Sequence, residues 1–305
     1  MSHVVAIVGP TAIGKSKLAL ELARSFNGEI ISADSRQVYR SLDIGTAKPS
    51  KEELDSVPHH LIDVINPDED FSLAQYQKLA YRALEHIHER GKTPFLVGGS
   101  GLYIWSVLEG WVIPEVPPDL EFRQKLEKTA SETGTDRLYQ ELLEIDPEAA
   151  RKIGRHNVRR IIRALEVERN TGIPFSELQI KRAPSFSTLI VGLTAQRVGL
   201  YRRIDLRVDE MIKRGLVEEV KGLLDMGYDL SLPALSGIGY RQIGLYLRGE
   251  LPLSIAIQKI KFETHRFARH QYAWFRLQDR RIKWFDVEHL EDSEVPDLLA
   301  KFAGR

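Results

Sequence analysis

Eight consecutive residues, Gly9-Pro10-Thr11-Ala12-Ile13-Gly14-Lys15-Ser16, satisfy Gly-x-x-x-x-Gly-Lys-[Ser/Thr] at every fixed position. Glycines at those places let successive backbone N–H groups converge on phosphate oxygens. A helix starting near Lys15 would add the partial positive charge of its N-terminus. Lys15 supplies a mobile cation, and the Ser16 hydroxyl is placed to ligate Mg²⁺. The chemistry these residue types support is the gripping of a diphosphate. The reaction stays open, because such loops serve nucleotide hydrolysis, phosphoryl transfer and, less often, chemistry in which diphosphate itself departs.

The elements around the loop fit that reading. His3 to Val8 is a short apolar strand, Ser16 to Phe26 a helix, and Glu29 to Ala33 a second strand ending at Asp34. Ligands of open α/β sheets bind outside the carboxyl ends of strands. There Asp34 could act as a general base, hold Mg²⁺, or simply cap the turn Ser35 to Val38. Asp63, after His60-Leu61-Ile62, could mimic a Walker-B carboxylate, but its apolar run is short. Ser72 with Gln75 reads as a capping box, and Tyr76, Ala80, Ala83, Leu84 and Ile87 recur at helical spacing until Gly91. Thr93 to Val97 is a third strand, turning at Gly98 and Gly99. Alternating strands and helices predict a parallel α/β sheet with right-handed crossovers.

The pattern changes after Pro114, Pro117 and Pro118, and Asp119 to Gly172 carries helical periods with little strand character. Strand character returns at Thr188 to Leu193. One long helical stretch then places Ile204, Val208, Ile212, Val217, Val220 and Leu224 on a broad face. A further helix over Ser254 to Leu277 and a last strand over Ile282 to Phe285 complete the pattern. The expected fold is a P-loop NTPase-like parallel sheet flanked by helices. Its core would span residues 1–113 and 186–290, interrupted by a helical insertion at 114–185, with a tail at 291–305.

Hydrophobic residues make up 43% and charged residues 28%, an ordinary globular balance. The absence of cysteine excludes disulfides and thiolate metal clusters and fits a cytoplasmic protein. No apolar run approaches the roughly 20 residues of a membrane helix, and Met1 to Ser16 lacks signal-peptide order. Lys plus Arg equals Asp plus Glu at 43 each, but the charge is unevenly distributed. Arg151, Lys152, Arg155, Arg159, Arg160 and Arg163 crowd into 13 residues, and a second basic stretch runs from Lys259 to Lys283. Such a cluster is either a solvated helix face or a phosphate-binding surface.

Several strings together resemble the bacterial tRNA dimethylallyltransferase family. They are Ala33-Asp34-Ser35-Arg36-Gln37-Val38-Tyr39-Arg40, Asp43-Ile44-Gly45-Thr46-Ala47-Lys48-Pro49, Pro58-His59-His60-Leu61-Ile62-Asp63 and Gly98-Gly99-Ser100-Gly101-Leu102-Tyr103. Asn157 to Val167, Gly237-Ile238-Gly239-Tyr240-Arg241-Gln242 and Trp274-Phe275-Arg276 follow in the family's order. The resemblance implies transfer of a dimethylallyl group from its diphosphate to N6 of the adenosine on the 3′ side of a tRNA anticodon. It implies Asp34 as partner and proton acceptor of the adenine amine, with Lys15, Ser16, Ser100 and Arg207 catalytic. Mg²⁺ on Ser16 is the implied cofactor.

It further implies tRNA contacts from Asp34, Ser35, Arg36, Gln37, Ser100, Arg123 and the run Arg159, Arg160, Ile161, Ile162, Arg163, with donor and base entering a shared channel from opposite ends. The expected partners are a tRNA anticodon stem-loop and dimethylallyl diphosphate, with no membrane and the protein acting as a monomer. Ser100 stands where the family carries threonine, Ile13 where it carries a small polar residue, and His265 and His270 where it carries permanent cations. Three other readings stay open from the residues alone: a prenyltransferase acting on free AMP, ADP or ATP, a P-loop kinase, and a non-catalytic RNA-binding protein.

Overall fold

The computed structural model describes residues 2–178, 180–290 and 294–304. Its contacts divide the chain into two compact units, Met1–Leu108 with Pro184–Arg305, and Glu109–Ala183. In chain order, β1 (Ser2–Val8) leads through the glycine loop into α1 (Lys15–Ser25) and β2 (Gly28–Ala33). A short α2 (Lys51–Ser56) and the two-residue β3 (His59–His60) precede α3 (Leu73–Glu89), β4 (Thr93–Gly98) and α4 (Gly101–Leu108). The inserted unit holds α5 (Leu120–Thr133), α6 (Asp136–Ile145), α7 (Pro147–Ile153) and α8 (Val158–Thr171). The first unit resumes with β5 (Phe186–Thr194), α9 (Arg197–Lys213), α10 (Leu216–Asp225) and the 3₁₀ turn Ala234–Ser236. It closes with α11 (Tyr240–Leu247), α12 (Leu253–Trp274), β6 (Ile282–Asp286) and α13 (Glu294–Ala303).

The sheet runs β3-β2-β4-β1-β5-β6 with every pair parallel. Parallel strands covered on both faces need near-continuous apolar sequence. β1 meets that need, since Val4 to Val8 expose no surface. Register then decides where the loops emerge. Gly98 pairs with Val8 on one side and Ala33 on the other, so β1, β4 and β2 end at one level. Gly9, Gly99 and Asp34 are therefore the next residues at a single edge of the sheet.

Three sequence expectations differ from the structure. The long helical stretch is broken at Gly215, whose φ of 98° belongs to the left-handed region that glycine tolerates. Leu200, Ile204, Val208 and Met211 are buried from α9, and Leu216, Val220 and Leu223 from α10. Ile212, Val217 and Leu224 are only half-buried as a result. The inserted unit also begins earlier than expected, because Val112 N–H donates to Ile180 O and Arg182 N–H to Gly110 O. These bonds tie residues 110–112 to its far end. Residues 294–303 form a helix rather than a tail, with Val295 and Leu299 in the same core cluster as β1 and β5.

The inserted unit has its own core of Leu126, Leu138, Leu142, Ala150, Ile161, Ile162, Ala164 and Leu165. Its one fully buried carboxylate among the described residues, Glu166, is held by Arg123 Nε and Nη2 at 2.7 Å each, Arg163 Nη1 at 2.5 Å and Asp119 N–H at 2.8 Å. A second network closes the sheet edge, where Glu29 accepts from Arg90 at 2.6 Å and Lys92 at 2.8 Å and pairs with His60 at 2.7 Å. Burial raises the Glu29 pKa, but the hydrogen bonds from Lys92, His60 and Arg90 outweigh it and hold the group at about 2. A carboxyl depressed below its unfolded value stabilises the fold fully above pH 4.5 and loses that contribution as pH falls toward 2. Glu29→Gln should therefore lower the denaturation midpoint at neutral pH, and the gap to the parent protein should narrow in titrations below about pH 4.5.

Candidate active site

The three strand ends bring together segments far apart in sequence. Beyond β1 the glycine loop wraps a pocket with Gly14 at the N-cap of α1, where its φ of 101° would strain any other residue. Ala12 also adopts a positive φ of 63°, bending the loop between β1 and α1. Lys15 Nζ donates to Pro10 O at 2.7 Å, folding the side chain back over the loop. Burial pushes the Lys15 ammonium down to about 7, the Arg207 charge adds to this, and Asp34 opposes it. Ser16 is exposed in the same pocket and forms no hydrogen bond through its hydroxyl among the described residues.

Asp34 follows β2. Its Oδ1 accepts the Arg36 N–H at 2.8 Å, and Oδ2 has no hydrogen-bond partner among the described residues. One oxygen thus caps the turn while the other remains available to a ligand. Ser100, just past β4, accepts the Ser35 N–H on its hydroxyl at 3.1 Å and donates its own N–H to Ala33 O. The two strand-end turns are bolted together. Arg207 and Arg203 reach the phosphate pocket from successive turns of α9. Burial lowers the Arg207 pKa, with Asp34 opposing, so three charged groups sense one another there.

A second cavity shares Asp34, Thr11, Thr46, Gly99 and Arg207 with the first; polar groups of Ser35, Ser100 and Thr264 line part of it, and Ile204, Val208, Met211, Ile238 and Ile260 give it an apolar wall. Polar cradle and apolar chamber adjoin at Gln271 and Phe267, which line both. Gln271 is 3% exposed; its Oε1 accepts the Thr11 N–H at 2.8 Å and its Nε2 donates to Gly99 O at 3.0 Å. It is a strut between the glycine loop and the Gly98–Ser100 turn. It was not singled out from the sequence, where a polar residue at a buried position of α12 was the one available clue.

The other expected site residues divide. Ser35, Arg36, Gln37, Pro10 and Ile13 lie at or beside these pockets, but several side chains are already engaged. Arg36 donates to Pro233 O and Ala234 O and to the Ser236 hydroxyl. Gln37 Nε2 donates to Thr46 O and Ala47 O at 3.2 Å each. In the inserted unit, Arg159 and Arg160 are exposed, whereas Ile161 and Ile162 are 0% and 3% exposed. Their side chains belong to the core, which corrects the expectation that they contact RNA. Arg123 and Arg163 project from the surface but anchor on Glu166. Asp63 is no strand-end carboxylate either, since it sits in a turn at φ 56° and pairs with Lys48 at 2.5 Å. In the second basic stripe, Lys261 and His265 face Asp209 and Asp205 of α9, leaving Arg269 on the Tyr201 hydroxyl.

No helix among the described residues is long and apolar enough to cross a membrane. A family model for IPP transferase matches residues 37–278. The tRNA dimethylallyltransferase of Roseiflexus castenholzii is 54% identical over 99% of this chain and 96% of its own length. The crystal structure of the full-length tRNA isopentenylpyrophosphate transferase from Bacillus halodurans is similar at a TM-score of 0.72 and 42% identity, covering 100% of this chain and 96% of that one. A eukaryotic dimethylallyltransferase captured acting on tRNA matches at a TM-score of 0.82 and 27% identity, over 100% of this chain and 80% of that one.

Proposed function

The chain belongs to the IPP transferase family, and from that premise we propose that it transfers a dimethylallyl group from dimethylallyl diphosphate to N6 of the adenosine beside the tRNA anticodon, on its 3′ side. The observation that carries this reading is the junction of a phosphate cradle with an apolar chamber, with Asp34 and Arg207 common to both. A kinase needs the cradle but has no use for a chamber of isoleucine, valine and methionine behind the phosphates. A five-carbon chain does.

An exocyclic adenine amine is a weak nucleophile, so the allylic C–O bond must be made easy to break. Negative charge builds on the departing diphosphate, where the loop amides, Lys15, Arg203 and Arg207 stabilise it. Ile204, Val208 and Met211 hold the hydrocarbon and exclude water that would capture the allylic carbon. As the C–N bond forms, the amine becomes acidic and its proton passes to Oδ2 of Asp34. Ser100 keeps the turn that carries Asp34 in place through Ser35.

The donor set also fits Mg²⁺. The unengaged Ser16 hydroxyl is a hard oxygen ligand, and no cluster of three or more acidic, histidine or cysteine ligands occurs among the described residues. That suits a cation held mainly by substrate oxygens and water, and when bound it would neutralise diphosphate charge.

The decisive experiment is incubation of the protein with dimethylallyl diphosphate, Mg²⁺ and either unmodified tRNA or free AMP, followed by nucleoside mass spectrometry. Prenylated adenosine in the tRNA is expected. Product from AMP alone would move the acceptor to free nucleotides, and no product in either would end the transferase reading.

Arg159 and Arg160 form no ion pair among the described residues and are the part of the basic run best disposed to phosphate. If each meets one RNA phosphate, replacing both with alanine should flatten the slope of log K against log salt by about 1.5. Fluorescence anisotropy over a potassium chloride series measures this, and an unchanged slope would remove the pair from the interface.

A further inference from the structure

Glu219 stands on the first turn of α10 and has no place in the chemistry above. Its Oε2 accepts the N–H groups of Asp43 at 3.0 Å and Ile44 at 2.6 Å. Its Oε1 accepts the Gly45 N–H at 3.1 Å and the Tyr240 hydroxyl at 2.6 Å. Three successive amides aimed at one point form an anion nest. Here the chain fills the nest with its own carboxylate, at a helix N-terminus that favours negative charge.

The nest is built into the wall of the site. Gly45, Thr46 and Tyr240 line the apolar chamber with Asp34 and Ser100. Gly45 cannot carry a side chain, because a Cβ there would lie 2.5 Å from the Tyr240 ring. The far end of the loop is gripped by Gln37, whose Nε2 holds the Thr46 and Ala47 carbonyls. Its Oε1 accepts the Ser32 hydroxyl at 2.9 Å, two residues before Asp34. A continuous chain of hydrogen bonds thus runs from the Glu219 carboxylate through residues 43–47 to the strand end that presents Asp34. None of these bonds is made by the glycine loop 9–16, although Gln37, Thr46 and Ala47 also border the phosphate pocket.

We propose that Glu219 is a positioning residue for the site: its carboxylate sets the Asp43–Ala47 loop and Tyr240, and through them the chamber wall that faces Asp34. A carboxylate is required because all four partners act as donors. An amide of the same shape would turn its own N–H₂ toward at least one of them. The inference rests on the transferase reading and concerns the chamber wall rather than the glycine loop.

Glu219→Gln and Tyr240→Phe test it, each assayed for tRNA kinetics, for inhibition by inorganic pyrophosphate, and for amide exchange across 42–48 and 9–16. For Glu219→Gln the expected result is a loss of about 10- to 100-fold in kcat/KM for tRNA, since a small misplacement near the reacting atoms carries that penalty. Pyrophosphate inhibition should stay within about twofold, with exchange accelerated over 42–48 alone. Tyr240→Phe keeps the ring against Gly45 and should show a smaller loss of the same kind, and the double variant should be no worse than Glu219→Gln. Should Glu219→Gln fail to fold, the same split in Tyr240→Phe decides the matter. Unchanged tRNA kinetics, equal loss of tRNA turnover and pyrophosphate binding, or additive losses in the double variant would each overturn the proposal. Absence of prenyl transfer by the parent protein would instead overturn the transferase reading itself.

Discussion

Asp34→Asn is expected to lower kcat by about 10²- to 10⁴-fold while leaving the fold and the KM for tRNA close to those of the parent protein. The reasoning turns on the unequal duties of the two carboxylate oxygens. Oδ1 accepts the Arg36 N–H, and an asparagine Oδ1 can accept the same bond, so the turn keeps its cap. The other oxygen becomes an N–H₂ group, which cannot take a proton from the adenine amine. The substitution therefore separates the cap from the base. Single-turnover rates with saturating tRNA and dimethylallyl diphosphate, alongside thermal melting, measure both halves. Near-parental turnover would leave Asp34 as a turn cap and nothing more.

Lys15→Met should produce the second large effect, a loss of about 10²- to 10³-fold in kcat, with weaker inhibition by pyrophosphate. Methionine matches the length and the burial of the lysine stem but removes the charge. In the free protein Lys15 rests on Pro10 O, and its ammonium is held down to about 7 by burial and by Arg207. A diphosphate entering the cradle supplies the opposite charge that this environment lacks and favours the protonated form. The cation is thus called on most strongly when negative charge on the leaving group is greatest. Measured kcat within about threefold of the parent would mean that loop amides and Arg207 carry the leaving group without it.

How much of this was legible in the sequence depends on the range of the interaction. The glycine loop was readable because its geometry is set by eight adjacent residues. Asp34 was readable as the residue just past an apolar strand and Ser100 only through the family resemblance, while the Ser72–Gln75 capping box is present as expected. Gln271 was not, since its partners Thr11 and Gly99 lie 260 and 172 residues away. Glu219 was hidden for the same reason, 176 residues from Asp43. The basic run misled in a different way. Reading Arg159 to Arg163 as one contact segment overlooked that Ile161, Ile162 and Leu165 share a helical face and must be buried. A stripe of cations along a sequence becomes two faces once the helix turns.

The placement of β1 has a further consequence, for synthesis rather than for chemistry. β1 is flanked by β4 on one side and β5 on the other, with Val8 opposite both Gly98 and Gly192. On the ribosome its second edge stays open until some 180 further residues have been added, roughly 10–40 s at ordinary elongation rates. The cradle residues are translated long before β5, and their supporting strand stays open on that side until β5 arrives. A nascent chain of this protein would carry the complete phosphate motif long before it could hold a phosphate.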